Sequence, residues 1–129
     1  MAKFGLPQNN EELALFCAKL AEEKIASDIL LMNMEDIETA PAEYFVIATC
    51  DSDMQMRAII DLLKDVCREI GMEKPRIEGT ENMKWVLIDY FHVVMHLMLP
   101  DVRDYYHLEK LWGDAEFTHI NTDHHALSY

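Results

Sequence analysis

An uninterrupted apolar stretch, Tyr44-Phe45-Val46-Ile47-Ala48, runs directly into an amphipathic stripe at helical spacing: Met56, Ile59, Ile60, Leu63, Val66, Cys67 and Ile70. A strand that is apolar on both sides must be covered on both, which places it inside a sheet. A helix with one apolar stripe covers one such side. The join is also specified. Ser52 followed by Gln55 forms a capping box at the helix start, and Gly71 is placed to end the helix. This pair alone commits the chain to helices packed on a sheet.

The flanking sequence extends the pattern. Residues 9–26 repeat Leu13, Phe16, Cys17, Leu20 and Ala21 on one helical face, with Asn9 or Asn10 as cap. Ile29 to Met32 has strand length, and the polar stretch from Met34 to Pro41 reads as a loop. Pro75 to Glu78, Trp85 to Asp89 and Val93 to Met98 read as further strands, with a turn at Gly79 and another near Tyr90 to His92. Pro100 opens a last helix that carries Val102, Tyr105, Tyr106 and Leu108, continues through Leu111 and Trp112, and stops at Gly113. The predicted fold is α/β (α+β), a single mixed β-sheet of about five strands flanked by helices. A length of 129 residues suits one domain spanning 1–129. From residue 117 to 129 no period is visible, and a mobile tail is expected.

Composition narrows the function. The net charge is -13, from 11 basic and 24 acidic residues, so phosphate backbones are repelled and direct nucleic acid binding is not expected. A basic protein partner is electrostatically compatible, although solubility alone accounts for such a charge. No apolar run reaches membrane-spanning length. The opening residues carry neither a secretory nor a transit pattern, so a cytoplasmic location is expected. The three cysteines, Cys17, Cys50 and Cys67, have no zinc or disulfide spacing. Cys17 and Cys67 fall on apolar helix faces and read as buried thiols. No cofactor or metal is expected. His119, Asp123, His124 and His125 lack a fixed ligand spacing, and the methionines sit mostly at core-like positions.

A series of local matches then runs in order through residues 43–115. It comprises Glu43-Tyr44-Phe45-Val46-Ile47-Ala48-Thr49, then Ser52 with Gln55-Met56-Arg57-Ala58-Ile59, then Ile77-Glu78-Gly79. It continues with Trp85-Val86-Leu87-Ile88-Asp89-Tyr90, Val93-Val94-Met95-His96 and the end from Tyr106 to Ala115. Together these resemble the ribosomal silencing factors of the Iojap family. The resemblance implies a nucleotidyltransferase-like fold without the active site. It also implies binding to the fourteenth protein of the large ribosomal subunit, a steric block of subunit joining, and repressed translation when nutrients are scarce. A homodimer is compatible with it. Two departures stand out. Cys50-Asp51-Ser52-Asp53-Met54 replaces a stretch that contains Gly and a basic residue in many members. Phe91-His92 replaces Gly-Asp.

The resemblance places a partner-binding patch around Trp85, and Leu87, Asp89 and Tyr90 are assigned to it as well. Trp and Tyr are favoured interface anchors, because they bury much area and keep a polar handle. Strand alternation puts Trp85, Leu87 and Asp89 on one face and Val86, Ile88 and Tyr90 on the other. Asp89 is polar, so the Trp85 face is expected to be the less buried one. A lone strand histidine such as His96 reads as hydrogen-bonded structure, since no nucleophile stands beside it. Two other functions are kept in view. One is a metal-dependent nucleotidyltransferase using Asp51, Asp53 and Asp89, against which Asp and Ser before a helix are ordinary capping residues. The other is a large-subunit assembly factor.

Overall fold

The computed structural model describes residues 4–120. One sheet organises the chain, with strand order β3-β4-β5-β2-β1-β6. The strands are β1 (Ser27–Asn33), β2 (Tyr44–Thr49), β3 (Arg76–Glu78), β4 (Trp85–Asp89), β5 (Val93–Met98) and β6 (Glu116–His119). β2 and β5 are parallel at the centre, and every other pairing is antiparallel. Every residue of β2 is buried, as its unbroken apolar sequence requires.

Two helices, α1 (Asn10–Glu23) and α2 (Asp53–Ile70), cover one face. Their stripes meet Ile29, Leu31, Val46, Ala48, Val86, Ile88, Met95 and Leu97 in the larger core. α2 starts with Ser52 as its N-cap, as predicted, but the Gln55 side chain reaches back to the residue before the cap instead of to the cap itself. The Gln55 backbone N–H donates to Ser52 Oγ at 3.2 Å, and the Asp51 N–H donates to Gln55 Oε1 at 2.7 Å. Gly71 ends it at φ +73, a conformation without steric cost only for glycine. α1 stops short of the predicted residue 26, because the chain turns through Ile25 at φ 63. Cys17, Cys50 and Cys67 are all buried and form no disulfide.

The opposite face carries a smaller core of Leu30, Met32, Phe45, Ile47 and Met98. It is roofed by the loop from Met34 to Ala42 and by two short helices, α3 (Pro100–Tyr106) and α4 (Leu108–Leu111). The single last helix expected from Pro100 is thus broken. His107 takes φ 46 and donates its N–H to Arg103 O, which closes α3. The break lets Leu108 bury while Tyr105, Tyr106 and Leu111 stay exposed. The sequence also missed a sixth strand. Residues 116–119, placed largely in the expected tail, pair with β1 from Leu30↔His119 to Asn33↔Glu116. Four exposed residues leave no periodic apolar signal to read. The rest of the expected tail, 121–129, lies outside the described residues, as do Asp123, His124 and His125.

Candidate functional site

The roof over the second face covers the β3–β4 side of the sheet only in part, meeting it at Trp85. Along β4 the burial alternates: Val86 and Ile88 are buried under the helices, while Trp85, Leu87 and Asp89 on the other face are only half-buried. Val94 on β5 is half-buried beside Asp89, its cross-strand partner. On β3, Arg76 and Glu78 are exposed and form a 2.7 Å ion pair. At this exposure the pair contributes little stability, but it marks the polar margin of an apolar strip. The result is a shallow surface with an aromatic residue at one end and charge along its edge.

Trp85 is the most constrained member of this surface. Its indole Nε1–H donates to His96 Nδ1 at 3.0 Å. The ring also packs at 4.8 Å against Tyr106 of α3, which meets Tyr105 edge-on at 5.0 Å. His96 sits opposite Leu87 in the β4–β5 ladder and is buried. Burial pulls its pKa from 6.5 down to about 3, so the ring is neutral and Nδ1 accepts. Its Nε2 is enclosed and meets no acceptor among the described residues. His96 is therefore hydrogen-bonded structure, as its strand context suggested.

Tyr90 does not join this surface. It lies past the end of β4 and packs on the helix-covered core. Its hydroxyl donates to Glu73 O at 3.2 Å, with Cys67 Sγ 3.5 Å away. Burial raises its pKa well above the ordinary tyrosine value. Asp89 also has local work, since its Oδ1 accepts the Phe91 N–H at 2.7 Å. That bond steadies Phe91 at φ 75, a left-handed position that suits glycine and strains a bulky side chain. The departure noted at Phe91 thus falls where glycine is the natural residue. Gly79, in contrast, is a glycine by necessity. At φ +90 an added Cβ would sit 2.2 Å from the Trp85 carbonyl oxygen.

The carboxylates of the alternative enzyme reading do not converge. Asp51 and Asp53 are exposed beside the start of α2, and Asp53 pairs with Arg57 at 3.8 Å. The register places Trp85 level with Met98 and Thr49, and Asp89 level with Val94 and Phe45. Asp89 is thus roughly 13 Å along the strands from the Asp51 end. Among the described residues, no group of three His, Cys, Asp or Glu side chains could hold a metal ion. A separate polar cleft is lined by Asp28, Thr49, Arg103, Glu109 and His119. There the Arg103 guanidinium is tied to Glu109, Thr49 and the Asp28 carbonyl, which fastens α3 and α4 to the sheet. No helix among the described residues is long and apolar enough to cross a membrane.

These features define an α+β protein with one mixed sheet, helices on one face and a partly open strip on the other. The sequence model of the family described as "Ribosomal silencing factor during starvation" matches residues 7–128, and the chain belongs to that family. A ribosomal silencing factor from Halalkalibacterium halodurans is 42% identical over 107 residues, covering 83% of this chain and 91% of that one. The one from Bacillus subtilis is 39% identical over 113 residues, covering 88% and 95%. A crystal structure from Chromobacterium violaceum superposes with a TM-score of 0.74 at 30% identity, covering 91% of this chain and 98% of that one. Another, from Bacillus halodurans, gives 0.70 at 37% identity, with 86% and 100% covered. The two silencing factors are named for an effect on the ribosome, not for a reaction.

Proposed function

We propose that this chain docks on the large ribosomal subunit, through that subunit's fourteenth protein, and sterically blocks subunit joining. Translation then falls under nutrient limitation, and the site of action is the cytoplasm. The observation that carries the reading is the half-open strip on β4, where Trp85 and Leu87 present apolar surface with Asp89 beside them. An aromatic at the end of an apolar strip with a charged margin has the make-up of an interface core and rim. A net charge of -13 favours encounter with a basic partner. Tyr90, on the helix side, supports the turn after β4 and is outside the contact. Cosedimentation with separated subunits tests the proposal: the chain should travel with the large subunit, and Trp85→Ala should weaken that association. Equal distribution between the subunits would remove it.

A second reading has one specific support. A mouse relative, 31% identical over 101 residues, is named for mitochondrial assembly of the ribosomal large subunit. In this reading the same contact serves subunit maturation. Polysome profiles of a deletion strain separate the two. Excess joined ribosomes in stationary phase mark silencing, and immature large subunits during growth mark assembly.

A further inference from the structure

We infer that His96 is a positioning residue for Trp85, holding the indole in one orientation on the half-open face before the ribosome covers it. The inference rests on the reading of that face as the ribosomal contact. Trp85 lies opposite Met98 in the β4–β5 ladder, which makes His96 its diagonal neighbour on the same face. The 3.0 Å bond from Nε1–H to Nδ1 joins them, with the two rings 5.9 Å apart. The two residues differ in freedom. Trp85 is half-buried at the start of its strand. His96 is buried on β5, which is paired on both sides by β4 and β2, and its ring meets Phe45 edge-on at 4.4 Å. A fixed group therefore restrains a half-exposed one. An indole already held in place has less freedom to lose when a partner covers it.

His96→Leu removes the acceptor, and His96→Asn returns an amide oxygen near the place of Nδ1. The full chain is titrated with purified bacterial large ribosomal subunits. His96→Leu should bind about three- to tenfold more weakly, the range for one net hydrogen bond. His96→Asn should stay within about twofold of the parent. The Trp85 indole N–H resonance should shift and exchange faster in His96→Leu than in His96→Asn. Added to Trp85→Ala, His96→Leu should cost nothing further, since its target is gone. Parent affinity for His96→Leu, with Trp85→Ala still weak, overturns the positioning role and leaves the face reading intact. A loss that adds to that of Trp85→Ala also overturns positioning. Parent affinity for Trp85→Ala defeats the face reading itself. If His96→Leu does not fold, Trp85→Phe, which keeps a ring but has no N–H, takes its place. A three- to tenfold or larger loss is then expected, and parent affinity overturns the inference.

Discussion

The buried side chain of His96 should make this fold weaken in acid. In the unfolded chain its imidazole titrates near 6.5, and in the folded protein burial lowers that to about 3. The folded state therefore keeps the ring neutral while the unfolded state takes up a proton. Stability from this source is fully present above pH 6.5 and is lost as pH falls towards 3, because the unfolded state binds the extra proton throughout that window. One proton of difference gives a slope of about 1.4 kcal/mol per pH unit. Across the whole window the loss approaches about 5 kcal/mol, comparable to the entire stability of many small domains. Other groups titrate as well, so the diagnostic quantity is a difference between proteins. Urea unfolding of the parent and of His96→Asn, followed by far-UV circular dichroism from pH 7.5 down to pH 4, isolates it. The parent should lose its stability advantage over the variant at about 1.4 kcal/mol per unit below pH 6.5. Stability curves that stay parallel over that range would refute the buried neutral imidazole.

Four further outcomes follow from the geometry. Gly79→Ala should destabilise by more than about 2 kcal/mol, since left-handed strain alone costs about 1–2 and the new Cβ meets the Trp85 carbonyl; a thermal midpoint within a degree of the parent refutes it. Phe91→Gly should instead stabilise by about 1 kcal/mol by relieving φ 75 at an exposed side chain, read from chemical denaturation; a loss of stability counts against strain there. Trp85→Ala should lower large-subunit affinity about thirtyfold or more, measured on protein shown to be folded; a large fall in thermal midpoint with normal affinity would make Trp85 structural only. If acidic charge steers docking, the association rate should fall as salt rises while dissociation changes less; stopped-flow rates independent of salt exclude steering.

What could be read from the sequence had strong local causes. The β2–α2 unit followed from an apolar run, a capping serine and a terminal glycine, and each reappears as hydrogen-bonded geometry. β4 and β5 have the predicted ends, and period-two alternation correctly named the open side of β4. The misses depend on tertiary context. β6 is exposed along its length, so only its pairing to β1 defines it. The break at His107 replaces one amphipathic helix by two, because the chain must turn to bury Leu108. Tyr90 shares a motif with Trp85 but lies on the helix-covered side, as alternation predicts. The Trp85–His96 bond joins two motifs that sequence order keeps apart. Only the antiparallel register shows that they are neighbours.

β6 also has a protective consequence. β1 is buried from Ile29 to Met32 and sits next to the end of the sheet order. Without residues 116–119, its row of backbone N–H and C=O groups would become an open apolar edge, a template for pairing with another chain. A short strand of exposed Glu116, Phe117, Thr118 and His119 blunts that edge. The cover is among the last parts of the described chain to leave the ribosome during synthesis, so each nascent molecule passes through a stage in which this apolar edge is bare. Trimming the chain before Glu116 would leave it in that stage for good, and self-association would compete with the native fold.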